Sequence, residues 1–361
     1  MTNDERRMTN DFRFSICDLN RQSKIGNRQS AIRKSAIENW QSAISNQQSQ
    51  MFSVVIPNWN GVRLQLLPTC LNALRVQTWR DFETIVVDNG STDDSREFVA
   101  REFPEVRLLM LPTNRGFAPA VNAGIRAARG EVVVLLNNDT EAEPQWLAEI
   151  ARAFEENPRA GMVACKLRLF DQRERIHSAG DFYRVDGIPG NRGVWEVDRG
   201  QYDDARGVFG ACGGAAAYRK TMLAEIGGFD EALESYCEDV DLNWRARLAG
   251  YAVAYAPRAV VYHRLSATGG GTLASFFVGR NVIWVLAKNY PTGLWKKHWR
   301  AIVRAQLGIT ADALRHWRGQ AARARVRGQI AGVLGLPRWL ARRREVIRRA
   351  SDAEIEAALV Q

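Results

Sequence analysis

Residues 131–140 read EVVVLLNNDT. An acidic residue is followed by five unbroken aliphatics and then by a polar stop at Asn137-Asn138-Asp139. A short, fully apolar run of this kind is the signature of a strand covered on both faces, as in a parallel sheet. Three further units stand upstream of it. Phe52–Pro57 is a β-branched run, followed by a helical stretch over 64–77. Glu83–Asp88 is a second strand, opening into the turn and N-cap sequence Asn89-Gly90-Ser91-Thr92-Asp93 and a helix to about Phe103. Val106–Leu111 is a third strand, and 116–129 reads as a helix closed by Gly130. Strand and helix alternate for ninety residues. The pattern predicts an α/β fold with a Rossmann-like, mostly parallel central sheet and helices on both faces.

Ligands of such sheets sit at the carboxyl ends of the strands. Three of those ends carry polar clusters: Asn58-Trp59-Asn60-Gly61, Asp88-Asn89-Gly90-Ser91 and Asn137-Asn138-Asp139-Thr140. Each alone is equally a set of turn residues and caps, but three converge on one edge. The glycine-rich GxGxxG fingerprint is absent from the first turn, which speaks against a nicotinamide dehydrogenase. Downstream, 171–206 is rich in Gly, Asp and Arg, as in long loops over a site. Val208–Tyr218 is small and apolar. Glu238-Asp239-Val240-Asp241 then opens a helix running to about Ala249. Carboxylates at a helix N-terminus favour the macrodipole, yet three acids in four residues exceed what capping needs. Strand-like 251–255 and 259–262 end in His263.

Of the 361 residues, 50 are Lys or Arg and 40 are Asp or Glu, a net charge of +10. The surplus is local. Residues 296–349 hold 15 bases and 2 acids, whereas 51–295 hold 27 bases and 30 acids. Five scattered cysteines without a CxxC pair argue against a thiolate metal cluster or a disulfide framework. The best apolar run, 273–287, is interrupted by Arg280 and Asn281 and falls short of a membrane span. Residues 1–50 contain an imperfect Ser-Ala-Ile repeat, too polar to offset its ordering entropy. They read as a disordered leader or a mis-assigned start, with Met51 the natural beginning.

Taken in order, VVIPNWNG (54–61), IVVDNGSTDDS (85–95), NRGFAPAVNAGI (114–125), VVLLNNDT (133–140), GGFDEALESYCEDVDLNWRARLAGY (227–251) and VVYH (260–263) resemble glycosyltransferase family 2. These are inverting enzymes of the GT-A fold, and the likeness is closest to rhamnosyltransferase-like bacterial members that build surface polysaccharide. It covers about 52–291. The resemblance implies sugar transfer from a nucleoside diphosphate, UDP or dTDP, to a hydroxyl of a saccharide or lipid-linked acceptor. Rhamnose is the preferred sugar on resemblance alone.

The resemblance also implies roles. Asp88 matches the carboxylate that reads the nucleobase edge, with Asn89 beside it. Pro57 and Asn60 match a wall of the nucleoside pocket, and Arg115 and Gly116 match a loop near the donor. A divalent cation, Mg²⁺ or Mn²⁺, offsets the diphosphate charge. Asp139 matches its carboxylate ligand and His263 a histidine that completes the site. Asn137 replaces the first acid of Asp-x-Asp, which leaves it a ribose hydrogen bond rather than ligation. Asp239 matches the general base, Glu238 is the runner-up, and Asp241 is a structural partner of Arg245. The domains expected are a donor half (51–140), an acceptor and catalytic half (141–265) and a basic helical extension (266–361).

Within that extension Trp299, Val303, Leu307, Thr310, Leu314 and Trp317 recur at helical spacing, with arginines opposite. Such helices fit either an anionic membrane surface or packing on the core. A cytoplasmic enzyme peripheral to the inner membrane follows from the first. Two other classes compete with this reading. A sugar-phosphate nucleotidylyltransferase would carry a Gly-rich basic loop after the first strand, where Asn58-Trp59-Asn60-Gly61 stands. A basic nucleic-acid-binding protein would show a recognised motif, and none accompanies the charge.

Overall fold

The computed structural model describes residues 51–361 apart from 205–206 and 266–269. The expectation for residues 1–50 lies outside the described residues. Nine strands form one twisted sheet. Its first half is parallel: β1 (Phe52–Asn58) lies between β2 (Phe82–Asn89) and β4 (Val132–Leu136), with β3 (Arg107–Leu111) outside β2. The second half is mixed. β10 (Ala215–Arg219) runs antiparallel between β4 and β6 (Ala160–Leu169), and β11 (Ala252–His263) then pairs parallel with β6. β5 (Thr140–Ala142) closes the far edge on β11, and β7 (Ile176–Ala179) pairs with β6. β8 (Asp181–Tyr183) and β9 (Pro189–Asn191) form a separate hairpin. The two strand-like stretches after Tyr251 are one strand, β11, broken in register between Ala256 and Val260.

Period-two alternation sorts the strand residues between two cores. Val54, Ile56, Val132, Val134 and Leu136 pack under α1 (Leu67–Arg75), α2 (Ser95–Glu102) and α4 (Trp146–Glu156). Val55, Val87, Val133 and Leu135 pack under α3 (Phe117–Ala127), α5 (Lys220–Ile226) and α6 (Glu238–Leu248). α3 ends three residues before Gly130, which is packed tightly on the backbone at Met51–Ser53 instead of capping the helix.

A third core joins α6 to the C-terminal helices α7 (Gly271–Asn289), α8 (Thr292–Arg315), α10 (Leu336–Ala341) and α11 (Asp352–Ala358), around buried Trp244, Tyr290 and Trp339, while α9 (Gln320–Leu334) packs on α7 and α8. Among the described residues no helix is long and apolar enough to cross a membrane. Arg280 and Asn281, which interrupt the apolar run, have a structural task. Asn281 Nδ2 donates to the carbonyls of Leu233 (2.9 Å), Ser235 (3.0 Å) and Tyr236 (2.7 Å). Arg280 reaches the Leu233 carbonyl and the Glu234 carboxylate. α7 thereby braces the loop that enters α6.

Asn281→Leu keeps the volume and strips three carbonyls of a donor. It is expected to cost about 1–3 kcal/mol in urea unfolding, the cost of unpaired buried polar groups. A loss below about 0.5 kcal/mol, the scale of neutral surface changes, would show that the brace carries no energy.

Candidate active site

The parallel register places Asn58 beside Asp88, and β4 ends on the other side of β1. Their carboxyl ends open into a cleft of about 500 Å³ lined by Pro57, Asn58, Trp59, Asn89, Arg115, Gly116, Asn137, Asn138 and Asp139. Asp88 lies fully buried behind this lining. Its Oδ1 accepts from Arg96 Nε (2.6 Å) and Ser91 N–H (3.2 Å), while Oδ2 is buried without a partner. A carboxylate oxygen left without a donor inside a protein is costly unless a ligand supplies one. Asn60 is also outside the lining: its Oδ1 accepts from Thr92 N–H at 2.8 Å, which ties the β1 loop to the β2 loop. Asn89 holds the next loop, donating to Gly116 O (2.9 Å) and accepting from Arg115 N–H (3.0 Å). Gly116 has φ 90°, and a Cβ there would lie 3.1 Å from Glu234 O, so the turn needs glycine. The Arg115 side chain is exposed, 3.9 Å from Glu231.

Beyond β4 the antiparallel strands bring in residues far apart in sequence. The β11–β5 register sets His263 opposite Thr140 and so beside Asp139. His263 Nε2 lies 3.2 Å from Asp139 Oδ1, yet that oxygen is buried with no hydrogen-bond partner. A carboxylate oxygen and an imidazole nitrogen that converge without bonding one another fit ligation of a common divalent cation. Asn137 Oδ1 is likewise buried and unpartnered. Behind His263, its Nδ1 is 3.0 Å from His177 Nδ1. Burial and the neighbouring His263 push His177 down to about 3, so it is neutral.

A second cleft of about 450 Å³ shares Phe117, Asn137, Asp139, Ser235 and Leu273 with the first and holds Glu238 and Asp239. The chain enters it through three non-glycine residues in the left-handed region, Glu234 (φ 64°), Tyr236 (67°) and Cys237 (65°). Backbone strain of this density is held only where surrounding structure fixes it, and it clusters at functional sites. Asp239 accepts from Gly213 N–H on Oδ2 and from Val240 N–H on Oδ1, both at 2.8 Å. A Cβ at Gly213 would stand 3.2 Å from that Oδ2. Burial raises the Asp239 pKa, and these N–H groups oppose the rise. Glu238 is buried with Oε2 unpartnered; burial, then the adjacent Asp239, push it well above the usual range.

Two neighbours of Asp239 carry no sequence signal. Asp181 and Cys212 bring an oxygen and a sulfur to within 4.8 Å of each other and of its carboxylate. Asp181 Oδ1 accepts from Ser178 Oγ (2.9 Å) and Asn191 Nδ2 (2.8 Å). Burial, then the nearby Asp239, push it up to about 8. Of this pair Asp181 carries the proton at neutral pH, while the two backbone donors favour the ionised form of Asp239 against its burial. The Cys212 thiol is pushed well above its ordinary value by burial, which leaves no thiolate nucleophile here.

Asp241 stands apart from both clefts. Its carboxylate accepts from Arg245 Nε (2.7 Å), Lys288 Nζ (2.9 Å) and Asn289 Nδ2 (2.8 Å). Burial works against ionisation, but Arg245 and Lys288 overcome it and hold the carboxyl well below the usual range. Lys288 was not singled out from the sequence.

The fold is that of the GT-A glycosyltransferases. The family model described as Glycosyl transferase family 2 matches residues 53–227, and the chain is a glycosyltransferase similar to that family. It is 27% identical over 267 residues to the N-acetylglucosaminyl-diphospho-decaprenol L-rhamnosyltransferase of Mycobacterium tuberculosis, covering 68% of this chain and 87% of that protein. The fold is shared with a mannosyltransferase of Pyrobaculum calidifontis (TM-score 0.50, 19% identity, 85% and 86% of the two chains). It is shared too with S. aureus TarS (TM-score 0.50, 20% identity, 71% of this chain), of which the chain spans 42%.

Asp181→Asn replaces a carboxyl that is already protonated where Asp239 titrates. The acid limb of kcat/KM against pH for sugar transfer is therefore expected to stay in place to within about half a pH unit. A limb that moves down by about one unit or more would mean that Asp181 is charged beside the titrating group.

Proposed function

We propose that this enzyme transfers a sugar, rhamnose by its likeness to the mycobacterial relative, from a dTDP- or UDP-sugar to a hydroxyl of a lipid-linked saccharide, with inversion. The observation that carries the reading is the meeting of two clefts at Asp139. Behind the lining of one lies the unpaired Asp88 Oδ2, an acceptor for a nucleobase; the other holds buried carboxylates for an attacking hydroxyl.

In this reading the Asp88 Oδ2 left without a partner accepts the ring N–H of uracil or thymine. Pro57 walls the nucleoside, and Asn89 fixes the 115–116 loop over the donor. Asn137 Oδ1 accepts a ribose hydroxyl. Asp139 and His263 would hold Mg²⁺ or Mn²⁺, which offsets the charge on the departing diphosphate. The Nδ1–Nδ1 contact with neutral His177 fixes the His263 ring and leaves Nε2 toward Asp139. Asp239 takes the proton of the acceptor hydroxyl as the new glycosidic bond forms and the bond to the diphosphate oxygen breaks. Glu238 stays protonated beside it and donates to the acceptor. The donor half is 51–140 and the acceptor half 141–265, and the exposed basic face of 296–349 docks the enzyme on the cytoplasmic face of an anionic membrane. A nucleotidylyltransferase or a nucleic-acid binder has no use for a buried carboxylate pocket opening beside Asp139.

Asp239→Asn should lower kcat at least about a hundredfold, the usual contribution of a general base, while the affinity for UDP or dTDP measured by calorimetry changes little. Near-normal turnover in that variant would remove Asp239 from the base role.

A further inference from the structure

A groove of about 570 Å³ runs between α7, α8, α9 and α10, far from the polar clefts in character. Its walls include Ile283, Leu286, Ile302, Val303, Leu307 and Val333. The volume is that of a ligand pocket, within the range of about 300–1,000 Å³. The apolar surface continues outside it. Trp295, Trp299, Val303 and Leu307 follow one another at four-residue spacing on α8, and each is at least 40% exposed. Ile330, Val333 and Leu334 on α9 are exposed by 55% or more. A contiguous apolar surface of this kind, left open in a soluble domain, marks an interaction site.

The rim is cationic. Arg300, expected opposite the apolar stripe, instead lies with its guanidinium 5.4 Å from the centre of the exposed Trp299 ring. Arg343 lines the groove and donates only to neutral oxygens, Ala287 O (2.8 Å), Tyr290 O (2.7 Å) and Thr292 Oγ1 (3.2 Å). The complement of apolar walls with a positive rim is a hydrocarbon chain below an anionic head. A second copy of this chain would set positive rim against positive rim.

The groove is tied to the active site by one helix. Leu273 and Phe277 of α7 line the donor cleft, and Ile283, Leu286 and Ala287 of the same helix line the groove. From Leu273 to Ile283 the rise is about 15 Å. We propose that this groove takes the hydrocarbon tail of the lipid-linked acceptor, so that tail binding delivers the acceptor sugar to the carboxylate pocket. The inference rests on the lipid-linked acceptor proposed above.

The test compares two acceptors with the same sugar diphosphate, one on an ethyl group and one on a long polyprenyl chain. With wild-type enzyme the long tail is expected to lower KM by about tenfold or more, since each buried methylene favours binding. In the double variant Leu307→Ser/Val333→Ser the two KM values should converge to within about threefold of each other. Equal KM values in the wild type would overturn the groove's role, while failure to use either acceptor would overturn the acceptor assignment instead. A second readout needs no turnover: brominated dodecyl maltoside below its micelle concentration should quench tryptophan emission saturably, through Trp295, and do so weakly in the double variant. Equal quenching in both proteins, or a wild-type dimer in sedimentation that the variant loses without lipid, would contradict the proposal.

Discussion

Four polar side chains of α7 hold the segment that enters α6 in place. Arg280 and Asn281 clamp the carbonyls of the strained loop over 233–236, and Lys288 and Asn289 bind Asp241 within α6. Lys288 also reaches Asp230 at 2.7 Å. Every one of these bonds joins the C-terminal helices to the stretch that carries Glu238 and Asp239. The residues that disqualify α7 as a membrane span are thus the ones that make it a brace. The loop's three left-handed residues would relax without it, and Asp239 would lose its approach to Gly213.

The same segment shows how neighbouring acids acquire opposite chemistry. Positions 239 and 241 lie about 200° apart around a helix of 3.6 residues per turn. Asp241 faces Arg245 and Lys288 and is held ionised as a structural anion. Asp239 faces Asp181 and Cys212, where no cation answers it among its hydrogen-bond partners. Burial there favours bound protons, and two backbone N–H groups decide which carboxylate ionises first. The charge distribution along the chain follows the same division. The mildly acidic middle forms the polar clefts, while the strongly basic 296–349 segment surrounds an apolar groove.

Much of this architecture was legible in the sequence because it is local. The run Val132–Leu136 and its upstream partners alternate with helices at short range, and their polar ends converge by the parallel register alone. The pairing of Asp241 with Arg245 is an i,i+4 contact on one helix and could be read the same way. What could not be read depends on antiparallel strands and loops that join distant positions. His177 meets His263 across 86 residues, and Asp181 meets Asp239 across 58, through a hairpin with no strong period. The resemblance gives Asn60 a pocket-wall position, and only the structure shows that its Oδ1 accepts from Thr92 N–H. Val208–Tyr218 read as one small apolar element; only 215–219 is strand, and the preceding glycines make room for Asp239 and His263.

Asp139, where the two clefts meet, is the proposed point at which donor charge is met. Calorimetric titration of UDP and dTDP into the wild-type enzyme and Asp139→Asn, each with and without Mn²⁺, tests it most directly. Wild-type binding should depend on the cation and the variant's should not. Equal cation dependence in both proteins would contradict the assignment.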